Sequence, residues 1–274
     1  MRFKLIINID KSKLGDIIPL NYQYECSAVI YKILSKSDEK FSQWLHDNGY
    51  NADKKLFKLF TFAKLKIPQY RIINEYIKII SDYIEWQISF VPEISTREFI
   101  QGIFREQEFE LGNRNAQIKC RIQNIEMLPP PEFSETMTFQ TLSPICLTLK
   151  RDNGSDEYIS PTHPMAMTLI KQNLLDKYKA LQGKDFPDHD FAFNFKVINE
   201  PRSSLITIKA DTPQESKIRG FSCQFQLTAP IELMKIAYDG GVGSKNSLGF
   251  GMVRELEKKL NKYLINETKN IFNL

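Results

Sequence analysis

Apolar and polar positions alternate from the first residues of the chain. Phe3, Leu5, Ile7 and Ile9 share one face of an extended segment and Arg2, Lys4, Asn8 and Asp10 the other, which is the period of a half-buried strand. Past Pro19 the period lengthens. Between about Asn21 and Ser35, Tyr24, Ala28 and Tyr31 recur at i, i+4 and i+7, one stripe of an amphipathic helix. Ser37 or Asp38 can cap a second, short helix holding Phe41, Trp44 and Leu45, with Gly49 just past its end. Strand-like runs follow at 56–65, 70–73 and 84–91, then a helical pattern over 96–104 and two more strands at 108–111 and 117–127. Strand, helix, strands, helix, strands is the order of the ferredoxin-like split βαβ unit.

Pro129, Pro130 and Pro131 then interrupt the chain. Three prolines in a row continue neither a central strand nor a helix, and they make a stiff connector. Beyond them the order repeats. A strand is expected over 139–150, a long helix over 162–182 ended by Gly183, and strands over 191–197, 204–209 and 221–227. A helix over 230–238, a closing strand over 250–254 and a surface helix over the last twenty residues complete the second half. The pattern therefore predicts an α+β chain of two tandem ferredoxin-like (RRM-like) βαββαβ domains. The first spans 1–128, the connector 129–138 and the second 139–274.

Composition adds exclusions. With 42% hydrophobic and 26% charged residues over 274 positions, the chain is neither disordered nor fibrous. The net charge of +4 permits a nucleic-acid partner without requiring one. No apolar run approaches the length of a membrane span, and the alternating first strand does not read as a signal peptide. Cys26, Cys120, Cys146 and Cys223 lie far apart with no C-x-x-C pair. Free, mostly buried thiols in a reducing cytosol are expected, in a cytoplasmic chain with no membrane partner.

The densest chemical signal is the segment from Asp239 to Met252. Five of the twelve glycines in the chain (Gly240, Gly241, Gly243, Gly249 and Gly251) fall there. Such clustering implies positive φ or close backbone approach, and successive N–H groups can cradle an anion. Lys245, Asn246 and Ser247 add one charge and several donors suited to phosphate oxygens. The competing reading is a tight helix-to-strand turn. The P-loop and dinucleotide-binding patterns are both missing, which favours a longer phosphodiester chain over ATP or NAD, and no cofactor is expected.

Of the three histidines, His163 and His189 read as surface residues, whereas His46 ends the short second helix, where an imidazole could transfer protons. No H-E-x-x-H and no G-x-S-x-G elbow points to a metal site or a serine hydrolase, and the 33 Asp and Glu residues are not grouped as a two-metal nuclease needs. If the run from Lys54 to Lys66 is one strand, Lys54, Leu56, Lys58, Phe60 and Phe62 share a face. Basic groups beside exposed rings would form a single-strand RNA surface; an ordinary strand with its phenylalanines in the core is the alternative.

These residues carry a resemblance. The chain resembles the CRISPR-associated endoribonucleases of the Cas-six family, in the RAMP superfamily, through three stretches. They are the first strand followed by Leu20-Asn21-Tyr22-Gln23-Tyr24 and a helix reaching Tyr31; Trp44-Leu45-His46 followed by Lys58-Leu59-Phe60-Thr61-Phe62; and, most specifically, Lys245-Asn246-Ser247-Leu248-Gly249-Phe250-Gly251-Met252. Thr141-Leu142-Ser143-Pro144-Ile145 fits as well. The resemblance implies cleavage of precursor CRISPR RNA within its repeats, without a metal, by attack of a ribose 2′-OH that leaves a 2′,3′-cyclic phosphate and a 5′-OH. It implies a catalytic set of Tyr31, His46 and Lys58, in which either Tyr31 or His46 can relay protons to and from the two oxygens, with Tyr31 favoured as base and His46 as acid, and Lys58 stabilises the phosphorane. Lys54, Lys55 or Lys64 are substitutes for Lys58. RNA contacts would come from the glycine loop together with Lys54 and Lys64. CRISPR repeat RNA is the implied partner, with a CRISPR effector complex as a further one, for a monomer or homodimer. A non-catalytic RNA-binding subunit of the same fold is the rival reading, and an unrelated ferredoxin-like binding protein a third.

Overall fold

The computed structural model describes residues 1–210 and 212–256. Its first half is built on a five-stranded antiparallel sheet of β1 (Arg2–Asp10), β2 (Phe60–Phe62), β3 (Tyr83–Phe90), β4 (Glu108–Gly112) and β5 (Gln117–Leu128), in the order β2-β3-β1-β5-β4. β1 is central because one of its faces is apolar throughout. Leu5 lies opposite Trp86 on β3 and Ile125 on β5. Leaving aside the edge strand β4, this is the ferredoxin-like order, with α1 (Gln23–Ser37) and α3 (Glu93–Arg105) closing the core. Between them α2 (Glu39–Asp47) branches off, capped by Asp38, one of the two expected caps, whose carboxylate accepts from the Phe41 N–H at 2.9 Å.

The second half repeats the plan. Its sheet is β6 (Thr136–Thr141), β7 (Asn194–Val197), β8 (Gln224–Thr228) and β9 (Val253–Glu255), in the order β7-β8-β6-β9, covered by α4 (Ala166–Gln182) and α5 (Ile231–Gly240). Two further hairpins, Leu147–Lys150 with Asp156–Ile159 and Arg202–Ile208 with Ser216–Ser222, are appended to it. The halves are clasped by polar contacts. The buried Arg2 guanidinium lies 3.7 Å from the centre of the Tyr238 ring and donates to the carbonyls of Val253 (2.7 Å) and Tyr238 (2.6 Å). Thr61 Oγ1 donates to the Phe250 carbonyl at 2.9 Å. All four cysteines are free and buried, and no helix among the described residues is long and apolar enough to cross a membrane.

Several expectations are corrected. The run over 56–65 is two pieces, Lys55–Phe57, which pairs with Tyr50–Ala52, and β2. Leu59, at φ 53°, turns the chain between them. Lys54, Leu56, Lys58, Phe60 and Phe62 therefore share no face. Phe60 and Phe62 are core residues, and the basic-aromatic RNA surface does not form. The strand expected over 139–150 likewise breaks after Thr141 and resumes at Leu147. On α1 the core face is Cys26, Val29, Ile30, Ile33 and Leu34, whereas Tyr24 and Tyr31 are half-buried and Ala28 is exposed. The aliphatic side chains fill the sheet's concavity and leave the tyrosines at its margin. Apart from its first two residues, the expected carboxy-terminal helix lies outside the described residues.

Candidate active site

At the end of α2 three of the sequence-derived candidates meet. The Tyr31 ring, on the margin of α1, stands edge-on to the His46 imidazole, with centroids 5.1 Å apart. The ammonium of Lys58 donates to the backbone carbonyl of His46 at 2.6 Å, a cation on one of the last carbonyls of the helix. Local sequence makes this approach possible. Gly49 takes φ +67°, and a Cβ there would lie 2.6 Å from the Phe57 carbonyl and 3.0 Å from the Lys58 side chain. Only glycine lets the returning strand pass this close.

Electrostatics assigns the groups different capacities. His46 is exposed, and its Nδ1 lies 2.8 Å from the Asp47 carboxylate. Hydrogen bonds from His46 and Gln43 hold the Asp47 carboxyl below its ordinary range, so it is ionised at neutral pH and accepts only. A carboxylate that only accepts makes Nδ1 the donor of this contact, so Nε2 is the nitrogen with which the ring can exchange a proton. Burial pushes the Tyr31 hydroxyl well above the usual phenol range. Burial also lowers the Lys58 ammonium, a shift partly offset by Asp47, which makes it a more ready proton donor than an exposed lysine.

The glycine loop is the second part of the site. It is seated on β2. Thr61 holds its Phe250 carbonyl, and a Cβ on Gly249 (φ +80°) would meet the Phe62 ring at 2.5 Å. Asn246 faces inward, donating to the Phe250 carbonyl at 3.0 Å, and Ser244 Oγ donates to the Cys146 carbonyl at 3.1 Å. Lys245 precedes the short 3₁₀ turn of the loop and is exposed, and Ser247 lies within the turn, half-buried. Lys245 faces Asp156 at 4.0 Å, a carboxylate that also pairs with Lys150.

Between the loop and the Lys55–Phe57 hairpin lies a cavity of about 610 Å³ whose lining includes Lys55, Lys58, Lys150, Lys177 and Lys245. Gly243 lines it as well, while the other loop glycines, Tyr31 and His46 do not. Lys58 is thus the link between the His46 cluster and the cationic cavity. Lys54 is exposed at the hairpin turn. Lys55 lines the cavity and pairs with Asp176. Lys64 stands on a different cavity, with Tyr22, Leu65 and Tyr70. Among the described residues no three His, Cys, Asp or Glu side chains gather as a metal-ligand set.

Sequence reasoning missed Asp47, Lys150 and Lys177. Asp47 and Lys150 carry no pattern of their own. Lys177 does, because it continues the buried stripe Ala166, Ile170, Leu174 on α4, a lysine where the helix period calls for an apolar residue.

Comparison with known proteins agrees with this architecture. Residues 17–120 match the family model described as CRISPR-associated protein Cas6, N-terminal, and residues 128–255 the one described as CRISPR associated protein Cas6, C-terminal. The chain is 28% identical over 265 residues to CRISPR-associated endoribonuclease Cas6 1 of Methanocaldococcus jannaschii, covering 96% of this chain and 95% of that protein. It is 27% identical over 279 residues to CRISPR-associated endoribonuclease Cas6 of Pyrococcus furiosus, covering 100% and 97%. A solved structure of a Cas6-related gene product from Pyrococcus furiosus superposes with a TM-score of 0.79 at 25% identity, over 94% of this chain and 99% of that one.

Proposed function

The chain belongs to the Cas6 family, and on that premise we propose that it is a metal-independent endoribonuclease that cuts precursor CRISPR RNA within its repeats. The observation that carries this reading is the convergence of an imidazole, a phenol and an ammonium at the end of α2, with Lys58 shared by a cationic cavity wide enough for a nucleotide.

The chemistry follows from the capacities of the groups. His46 Nε2 takes the proton of the ribose 2′-OH, with Asp47 holding the ring from Nδ1. The 2′-oxygen attacks phosphorus, the P–O5′ bond breaks, and the products are a 2′,3′-cyclic phosphate and a 5′-OH. Lys58 stabilises the charge that grows on the phosphorane and donates a proton to the departing 5′-oxygen. This moves His46 from acid to base, gives the acid role to Lys58 and takes Tyr31 out of the proton transfer. A phenol pushed up by burial is seldom ionised at neutral pH and makes a poor base; Tyr31 packs the imidazole and offers its hydroxyl to the phosphate. The glycine loop, Lys245 and Lys150 hold the RNA backbone, for a protein acting in the cytoplasm alone or with a CRISPR effector complex.

The test is cleavage of the cognate repeat RNA in excess EDTA, with the upstream fragment examined for a cyclic phosphate. Cutting that persists in EDTA and stops when the ribose at the cut is replaced by 2′-deoxyribose supports the reading. Binding without cutting would make the chain an RNA-binding subunit, and loss of cutting in EDTA would refute the metal-independent route.

A further inference from the structure

Lys177 is only 1% exposed, yet it forms part of the lining of the cavity beside the glycine loop. Its ammonium donates to three carbonyls of that loop, those of Gly241 at 2.6 Å, Gly243 at 3.1 Å and Gly240 at 3.4 Å. Three donors meeting three acceptors satisfy its hydrogen bonds, but they supply no counter-charge.

Among the described residues no carboxylate fills that role. The charged groups that line the cavity with Lys177 are cations, Lys55 and Lys58 from the hairpin side, Lys150 from the strand over 147–150 and Lys245 from the loop. The Cys146 thiol also lines it, and burial pushes its pKa up, so it supplies no anion. The nearby carboxylates are engaged elsewhere. Asp176, on the same helix, pairs with Lys55, and Asp156 with Lys150 and Lys245. Asp53 pairs with Lys179, and Asp239 on α5 faces the terminal ammonium and Ser89. A lysine this buried without an anion loses part of its hold on the proton, and burial alone lowers its pKa to about 7.

We propose that Lys177 is a positioning residue for RNA: from the floor of the cavity its ammonium draws the carbonyls of Gly240, Gly241 and Gly243 inward, and it takes up a proton from solvent when a phosphodiester enters the cavity as its missing counter-anion. The inference rests on the RNA-processing reading and adds to it a group that touches neither base nor cleavage chemistry.

The sign follows from linkage. A phosphate nearby favours the ammonium and raises its pKa in the complex. Below the pKa of the free protein both states are protonated and affinity does not vary with pH. Between the free and bound values binding consumes a proton, so affinity falls about tenfold per pH unit, and above both it levels off.

The experiment uses the full chain and a repeat RNA carrying 2′-deoxyribose at the cut, so that only binding is read. Calorimetry in buffers of differing ionisation enthalpy counts protons taken up, in a His46→Ala background that removes the imidazole of the cleavage site, at about pH 6 and about pH 8. The expected result is no uptake at the lower pH, uptake of up to one proton at the higher, and about tenfold weaker binding there. Lys177→Arg, whose guanidinium stays charged, should bind with a flat pH profile, and Lys177→Met should bind weakly and flatly. Uptake that persists in Lys177→Arg, or no uptake by the protein with Lys177 intact, overturns the proposal while RNA processing stands. If both variants fail to fold, the proton count on the protein with Lys177 intact decides alone. Failure of the unsubstituted protein to bind repeat RNA at either pH would overturn the functional reading and this proposal together.

Discussion

Gly249→Ala tests how the glycine loop is held. Gly249 sits at φ +80°, and the added Cβ would stand 2.5 Å from Phe62 Cε2 and 2.9 Å from its Cζ. Two costs follow. A non-glycine residue in the left-handed region costs about 1–2 kcal/mol. The clash adds about 1–3 kcal/mol of overpacking, because the Phe62 ring cannot retreat: it is buried and packs edge-on against Trp86 with centroids 5.5 Å apart. The total is about 2–5 kcal/mol, a large fraction of the stability of a domain. The molecule contains its own control. Gly154 also takes φ +80°, and a Cβ there would meet nothing within 4 Å. Gly154→Ala should therefore cost only the conformational share. Urea denaturation followed by tryptophan fluorescence reads both, since Trp86 lies in the affected core. Phe62→Leu combined with Gly249→Ala should recover part of the loss as a coupling energy. Equal destabilisation by Gly249→Ala and Gly154→Ala, with no coupling to Phe62, would refute the idea that seating on β2 shapes the loop.

His46→Ala should bind repeat RNA almost as well as the parent and cut it about 10²–10⁴ times more slowly in single-turnover assays; cutting at the parent rate would move the proton transfer elsewhere. Because burial lowers the Lys58 pKa and its protonated form is the working one, the alkaline limb of the pH profile of kcat/KM should begin below the usual lysine range. Lys58→Arg should push that limb upward, and an unmoved limb would dissociate it from Lys58. Asp156→Asn removes the carboxylate shared by Lys150 and Lys245, so RNA should bind several-fold more tightly and with a steeper salt dependence, by up to about one counterion. A salt slope that does not change would exclude both lysines from the RNA interface.

Periodicity and residue type within the chain were enough to determine the two ferredoxin-like sheets, a helix cap at Ser37 or Asp38, free and mostly buried cysteines and the extent of the glycine loop. Each of these depends on residues close in sequence, or on burial that is written in residue type. The placement of Tyr31, His46 and Lys58 followed from resemblance; that they touch depends on Gly49 and on the turn at Leu59, which bring Lys58 back across the end of α2. Whether Phe60 and Phe62 face water or core was undecidable from alternation alone, because a one-residue change in where a strand begins reverses its faces; pairing of β2 with β3 settled it. The roles of Asp47, Asp156 and Lys177 were decided only by tertiary structure. Their charge states depend on partners and on loss of solvent, and Coulomb interactions and desolvation act through space between residues as far apart in the chain as Lys177 and Gly243.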